Sequence, residues 1–362
     1  PDVAISFSII IVTWNAAGHL RTFLPSVTRT RHPDYEILIA DNGSTDDSAD
    51  WVREHHPECR IISLGENYGY CGGNNRAAAH AKGDILVFLN NDVEVDPNWL
   101  NHLERTFEDP LTAVAQPKIR SWRERDQFEY AGAGGGYLDG MGYPFCRGRL
   151  FDTVERDRGQ YDTQAEIFWA SGAAFAIRRE LFQEAGGFDE TFVFHMEEID
   201  LCWYLLNRGY RIRFSPSSVV YHLGGGSLPM GSSRKTYYNF RNSLVMLWKH
   251  TTGEWLWRRF FFRLCLDGLA GVYAAMKGNF GDLRAIIRAH FHCYARWREV
   301  HRVRRHLESN RTRPHEPAVM SRNLIIADYF LRGRRRFSEL NLRWWRDAGE
   351  PIPHTEAAGK QG

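Results

Sequence analysis

The chain is expected to fold as an α/β domain, a mainly parallel sheet with flanking helices, followed by a helical C-terminal region. Three observations predict this. Over the first ninety residues, short continuous apolar runs alternate with amphipathic helical stretches, the pattern of strands buried on both faces between helices. Three of those runs end in polar clusters, as strands do where they leave a buried sheet. From Lys235 onward strand-like runs disappear and helical periodicity takes over.

The elements follow in order. Phe7–Thr13 (FSIIIVT) is the first strand. Gly18–Thr30 is a helix with Leu20, Phe23, Leu24 and Val27 on one face. Tyr35–Ala40 is the second strand, and Asp46 is placed to cap a helix over Asp47–His56. Arg60–Leu64 is the third strand, Gly72–Ala81 a helix closed by Gly83, and Ile85–Leu89 (ILVFL) the fourth strand. Pro97 opens a helix that runs to Phe107, and Ala113–Ile119 is a strand. Residues 121–163 show little periodicity. They carry eight glycines among tyrosines and phenylalanines, so an ordered flap over a ligand is expected, with an irregular hairpin excursion as the alternative. Phe168–Ile177 is a buried strand, Arg179–Ala185 a short helix, and Val219–His222 ends the last strand. The α/β domain is expected over 1–235, an amphipathic helical region over 236–350, and a disordered tail over 351–362.

Composition narrows the class. The 362 residues carry a net charge of only +2. Residues 284–349 hold sixteen arginines, no lysine and six acids, about +10, so the remainder sits near −8. Aromatics are abundant, with 12 Trp, 15 Tyr and 22 Phe. Six cysteines without CxxC or metal spacing read as free thiols in a reducing compartment. The chain opens on Pro1-Asp2 with no visible signal peptide, and no apolar run is long enough to span a membrane. GxGxxG after the first strand and GxxxxGK[ST] are both missing, which argues against a dinucleotide oxidoreductase and a P-loop NTPase.

The polar clusters are Thr13-Trp14-Asn15, Asp41-Asn42-Gly43-Ser44 and Asn90-Asn91-Asp92. Their equivalent positions point to a nucleotide crevice. A carboxylate at Asp92 suits a hard divalent cation and, through it, a diphosphate; a capped polar turn is the plainer reading. His195-Met196-Glu197-Glu198-Ile199-Asp200 is the second centre. Glu197, Glu198 and Asp200 crowd the first turn of a helix that Gly209 closes. The helix dipole alone favours acids there. Crowded carboxylates also raise one another's pKa, which suits a general base.

At these residues the chain resembles the family 2 glycosyltransferases of the GT-A fold, the group that includes bacterial rhamnosyltransferases of cell-surface polysaccharide synthesis. The resemblance lies in SIIIVTWN (Ser8–Asn15), DNGSTDDS (Asp41–Ser48), ENYGYCGGNN (Glu66–Asn75), FLNNDVEVDPNWL (Phe88–Leu100), WASGAAFAIRRELFQEAGGFDETF (Trp169–Phe192) and EEIDLCWYLLNRGYRI (Glu197–Ile212). It implies a Rossmann-like GT-A sheet, an NDP-sugar donor (dTDP-, UDP- or GDP-linked), and a divalent cation, Mg²⁺ or Mn²⁺. Thr13 and Asn15 would lie near the base and Asp41 at the base or ribose. Asn67, Gly72, Gly73 and Asn91 would shape the nucleotide side, with Ser171 and Gly172 at the donor sugar. Asp92 would be the last acid of the metal motif, here with Asn at position 90, and His222 a further metal or diphosphate ligand. Glu198 would be the base, Glu197 its neighbour, and Asp200 would orient the acceptor.

The implied function is inverting, metal-dependent transfer of a sugar to a saccharide or lipid-linked saccharide. The alternative is a catalytically weak nucleotide-sugar-binding or scaffold protein. The expected location is the cytoplasm, peripheral to the inner face of a bacterial cytoplasmic membrane. Gly224-Gly225-Gly226-Ser227 is expected to act as a lid. Arg147 and Arg149 are expected to meet a phosphate or nearby acids such as Asp152. The arginine- and aromatic-rich tail, with Trp297 and Trp344-Trp345, suits an anionic membrane surface or helical packing, including a homodimer. No nucleic acid is expected.

Overall fold

The computed structural model describes residues 5–224, 232–313 and 315–345. Its first half alternates as expected: β1 (Phe7–Thr13), α1 (Ala17–Val27), β2 (Tyr35–Asp41), α2 (Ser48–His55), β3 (Arg60–Ser63), α3 (Gly69–Ala78), β4 (Ile85–Leu89), β5 (Val93–Val95), α4 (Trp99–Thr106) and β6 (Thr112–Ser121). The middle adds β7 (Gly136–Asp139), β8 (Pro144–Cys146), β9 (Arg149–Leu150), β10 (Thr153–Val154), β11 (Ala165–Ile167), β12 (Ala174–Arg178), α5 (Arg179–Glu184), α6 (Glu197–Asn207) and β13 (Arg211–His222). The remainder is α7 (Ser233–His250), α8 (Gly253–Met276), α9 (Phe280–Ala295), α10 (Trp297–Ser309) and β14 (Met320–Ser321), with single helical turns after it.

The main sheet runs β11-β13-β6-β12-β4-β1-β2-β3, with β5 paired to β13. Strands β3, β2, β1 and β4 are parallel, β12 is antiparallel to both β4 and β6, and β6 runs parallel to β13. The continuous apolar runs have a direct cause. Ile10, Leu38, Leu86 and Phe88 enter one core, while Ile9, Ile11, Ile37, Ile39, Ile85 and Val87 enter the other. Both faces are covered, so neither set of alternate residues is polar. Gly73 lets α3 lie on β1: a Cβ there would stand 2.9 Å from Val12 Cγ1.

Three expectations change, and of the alternatives left open for Trp344-Trp345, packing within the chain is the one seen. Residues 121–163 are ordered, as expected, but as a sheet packed into the core rather than as an irregular excursion. Strands β7 to β10 form a second sheet, ordered β10-β9-β8-β7-β14, whose Tyr137, Leu138, Phe145, Cys146 and Leu150 are buried in the same core as Phe88, Trp203 and Leu244. The hydrophobic core therefore continues across residue 235, and β14 returns to pair with β7. The strand expected over 168–177 starts only at Ala174; the preceding stretch is a turn that crosses the sheet edge. Arg147 and Arg149 are buried on aromatic rings, Arg147 over Phe214 at 4.6 Å and Arg149 over Tyr130 at 4.4 Å, rather than paired with Asp152 or open to a phosphate. Trp344 and Trp345 fold back, Trp344 onto Tyr137 and Trp345 onto Trp255. Beyond Gly224, the expected lid lies outside the described residues, as does the tail.

Candidate active site

The carboxyl ends of β1, β2 and β4 lie along one edge. Thr13 is in register with Asp41 and Asp41 with Ser63. Thr13 is buried and its hydroxyl has no partner in the structure. Asp41 is buried and accepts from the Ser44 amide at 3.0 Å through Oδ1 alone. Asn15, at φ +48°, spends its carboxamide oxygen on the loop after β2, accepting from Thr45 N at 2.7 Å. Asn67 is likewise taken up by its own loop: its Oδ1 accepts from Asn42 Nδ2 at 3.1 Å and from Gly69 N at 2.9 Å. Asn42, absent from the expected set, is the pin of this region, since its Oδ1 also accepts from Tyr68 N. Gly72 and Gly73 face Tyr68, Arg76 and Val12, so their smallness serves packing.

Across the edge, Asn90 N donates to Ala173 O at 3.0 Å, which brings Ser171-Gly172-Ala173 beside the polar triplet after β4. The Ser171 hydroxyl accepts from Ala173 N, and Tyr70 OH donates to Gly172 O at 2.9 Å. Asn91 Oδ1 lies 3.3 Å from His19 Nδ1.

Asp92 and His222 meet where β4 and β13 end. Asp92 Oδ1 is 3.1 Å from His222 Nε2, and both side chains are buried. On the other side, His222 Nδ1 is 3.2 Å from Glu129 Oε2. Glu129 comes from the aperiodic 121–163 segment, and only tertiary folding reveals it. Burial pushes the His222 imidazole down, but the two carboxylates outweigh it and raise its pKa to about 10. Burial pushes Asp92 up, yet the hydrogen bond and charge of His222, with His19 beyond, hold it below its ordinary value. These residues fit a divalent cation as a two-atom foothold. Two ligands at right angles, each ~2.1 Å from one ion, stand about 3 Å apart, close to the Oδ1–Nε2 separation. A cation would have to displace the proton on Nε2, and Glu129, 3.2 Å behind Nδ1, would hold the proton that stays on the other nitrogen, as carboxylates behind metal-bound histidines do. Among the described residues no third His, Cys, Asp or Glu completes a protein-only cage, so phosphate and water oxygens would fill the remaining positions.

The acid pair opens α6. The backbone reaches it through His195 and Met196, both left-handed at φ +66° and +77°. Two consecutive non-glycine residues there store strain that the surroundings must hold. Asn242 of α7 holds it, donating to Phe194 O at 2.7 Å and His195 O at 2.8 Å. Glu197 Oε2 and Glu198 Oε2 are both buried without a partner. Burial first, and then the charge of Glu198, push the Glu197 carboxyl well up. Burial raises Glu198 to about 7, against its own N–H donors and those of Met196 and Ile199. Both charges bear on Tyr70, whose hydroxyl is bonded to Gly172, so the pair adjoins the edge built by β4 and β12. His195 beside them is pushed down to about 4, by burial first and then by the charge of Lys235, and is neutral.

Asp200 is held differently from the two glutamates. Its Oδ2 accepts from Lys249 Nζ at 2.6 Å and its Oδ1 lies 2.9 Å from His250 Nε2. Burial would raise its pKa, but those two partners bring it to about 2. Both oxygens are taken, so Asp200 ties α6 to α7 and is not free to orient an acceptor.

Comparison with known proteins fits this geometry. Residues 8–186 match the family model described as Glycosyl transferase family 2, a match that ends before the acid pair. An N-acetylglucosaminyl-diphospho-decaprenol L-rhamnosyltransferase of Mycobacterium tuberculosis is 26% identical over 266 residues, covering 68% of this chain and 85% of that protein. The O-antigen biosynthesis protein RfbC of Myxococcus xanthus is 29% identical over 219 residues, 59% of this chain and 17% of RfbC. Among solved structures, GalNAc-T7 with UDP, GalNAc and Mn²⁺ superposes at a TM-score of 0.54 with 19% identity, covering 68% of this chain and 48% of its own. S. aureus TarS 1-349 superposes at 0.51 with 16% identity over 96% and 99% of the two chains. The sheet is thus that of the GT-A fold, and the chain belongs to glycosyl transferase family 2 and is a glycosyltransferase.

Proposed function

We propose that the chain is an inverting, metal-dependent transferase. It moves a sugar from an NDP-sugar to a hydroxyl of a saccharide or lipid-linked saccharide in surface polysaccharide synthesis, at a membrane face. The observation that carries this reading is one edge holding two unlike centres: the Asp92–His222 pair at the ends of β4 and β13, and the raised-pKa pair Glu197–Glu198 beside Tyr70 and Gly172.

Asp92 and His222 would hold the divalent cation, which would offset the charge that develops on the departing diphosphate. The β1–β2 edge takes the nucleotide, with the Thr13 hydroxyl and the Asp41 carboxylate as its open polar groups. The turn at Ser171-Gly172 lets the donor sugar approach backbone. Glu198, with a pKa near neutrality, accepts the proton of the acceptor hydroxyl. That oxygen forms the new bond to the anomeric carbon as the bond to the phosphate oxygen breaks, and the nucleoside diphosphate leaves. Glu197 stays protonated and keeps its partner's charge tolerable. The name of the Mycobacterium relative, a transferase acting on N-acetylglucosaminyl-diphospho-decaprenol, supports a lipid-diphosphate-linked acceptor, and the Mn²⁺ and UDP in GalNAc-T7 are in keeping with this donor and cation.

The test is a thermal-shift and donor-hydrolysis screen of UDP-, dTDP- and GDP-sugars with Mn²⁺ or Mg²⁺, on wild type and Asp92→Ala. One nucleotide should stabilise the wild type only with metal, and its slow hydrolysis should vanish in the variant. Binding that ignores both metal and Asp92 would overturn the assignment.

A further inference from the structure

Helix α8 is built inside out. Its inward face carries Arg259, Arg263 and Asp267, each no more than 1% exposed. Arg263 donates to Met141 O at 2.7 Å and Ser243 Oγ at 3.0 Å, and it pairs with Asp267 at 3.2 Å. Asp267 also accepts from Tyr143 OH and lies 2.9 Å from His290 Nε2. Arg259 pairs with Glu316 at 3.2 Å. The outward face is apolar: Trp257 is 69% exposed, Phe261 63% and Met276 74%, with Leu264 and Val272 between them. At helical rise this stripe is about 28 Å long. Water alone selects the opposite arrangement, polar outside and apolar inside. Scattered exposed hydrophobics are ordinary on a protein surface; a continuous stripe of this length is not.

The neighbouring helix extends the pattern and adds charge. On α9, Phe280, Ile287 and Phe291 are exposed in line with Arg284 and Arg288. Helix α9 carries one acid, Asp282, half-buried in its first turn beside Asn279, and among the described residues Arg284 and Arg288 have no ion pair. They line, with Arg234 of α7, Tyr237 and Tyr238, an open cavity of about 540 Å³. No helix among the described residues is long and apolar enough to cross a membrane. A wide apolar stripe with aromatics, bordered by exposed arginines that no carboxylate among the described residues pairs, is complementary to the surface of an anionic bilayer: rings and aliphatics enter the acyl boundary, and guanidiniums meet lipid phosphates.

We propose that the α8–α9 hairpin is a membrane-docking surface. It lies in the plane of an anionic lipid bilayer, with Trp257, Phe261 and Met276 inserted and Arg284 and Arg288 on headgroup phosphates. This deepens the membrane-face part of the transferase reading, and the two are tested apart: vesicle binding is read without donor, and donor hydrolysis is read without vesicles.

The experiment is co-sedimentation of the full chain with phosphatidylcholine vesicles, with and without phosphatidylglycerol, at two salt concentrations. Size-exclusion chromatography with light scattering runs alongside. Anionic vesicles should retain the chain and neutral ones at least about tenfold less, with the difference shrinking at high salt. Trp257→Glu with Phe261→Glu should lower partitioning by at least about a hundredfold, and Arg284→Glu with Arg288→Glu by at least about tenfold. Both variants should keep the wild-type melting temperature and circular-dichroism spectrum without ligand, which report an intact fold. Vesicle binding that is absent, indifferent to lipid charge or unchanged in the variants overturns the proposal. So does a dimer that the glutamates dissociate in a chain that ignores vesicles, which would assign the face to a second copy.

Discussion

Replacing Glu198 with Gln should make the protein more stable and nearly inactive at once. In the folded chain burial holds this carboxyl at about 7, against an ordinary 4.5. The folded state therefore prefers the neutral form, and the sign follows. The stability this group contributes is fully present below pH 4.5 and is lost as pH rises through 7. The difference between the two values, at ~1.4 kcal/mol per pH unit, is about 3 kcal/mol. Gln mimics the neutral acid in shape, so Glu198→Gln should match wild type near pH 4.5 and exceed it by about 3 kcal/mol at pH 8 in urea unfolding. The same change removes the base, and transfer at saturating donor should fall about 10²- to 10⁴-fold. The wild-type rate should rise through pH 7 and then level. Glu197 supplies the control. Its carboxyl is pushed up further, by burial and by the charge of Glu198, so it is neutral at work and Glu197→Gln should keep most of the activity. A Glu198→Gln enzyme that retains a tenth of wild-type turnover, or that is less stable at pH 8, refutes the assignment of the base.

Further outcomes follow from the same structure. Lys249→Met leaves the Asp200 carboxylate buried without its 2.6 Å partner and should cost about 3–5 kcal/mol in denaturant unfolding; adding Asp200→Asn should recover part of it. Because Asp200 is held at about 2, its own contribution is present above pH 4 and is lost only as acid drives pH down through 2. Gly73→Ala sets a methyl 2.9 Å from Val12 Cγ1 and should lower stability by about 1–3 kcal/mol, readable as a lower melting temperature. Asn242→Ala removes both bonds that hold Phe194 and His195. It should lower kcat for transfer while leaving KM for the donor unchanged, because it touches the approach to the acid pair and not the nucleotide edge.

What the sequence made legible follows from how local each cause is. Strand β1 falls on Phe7–Thr13 and β4 on Ile85–Leu89, as read from the chain. A strand covered on both faces has no choice but to be apolar throughout, and that run is visible without any partner. The edge was legible for the same reason: Thr13, Asp41 and Asp92 stand where apolar runs stop. Glu129 left no trace, because its meaning lies wholly in His222, ninety-three positions away. Nothing in Gln127-Phe128-Glu129-Tyr130 marks a carboxylate as partnered rather than solvated. Asp200 was legible only in part. Its place in the first turn with Glu197 and Glu198 was read correctly, but helical spacing turns it away from Glu198 toward α7, where Lys249 and His250 wait.

The two-faced character of α8 was likewise legible, and which of its faces is buried was not. A charged residue at a periodic position reads as solvent-facing by default, because burying a charge is costly. The cost is met here by complete pairing: Arg263 reaches Asp267, Ser243 and a carbonyl, and Asp267 reaches His290 and Tyr143. Once those charges are satisfied within the fold, hydrophobicity is free to turn outward. Periodicity alone thus identifies a two-faced helix, and which face is inside is decided by whether each charge finds its counter-charge in three dimensions. That is why the C-terminal region, with its buried arginines and exposed aromatics, is the part of this chain that only the structure could orient.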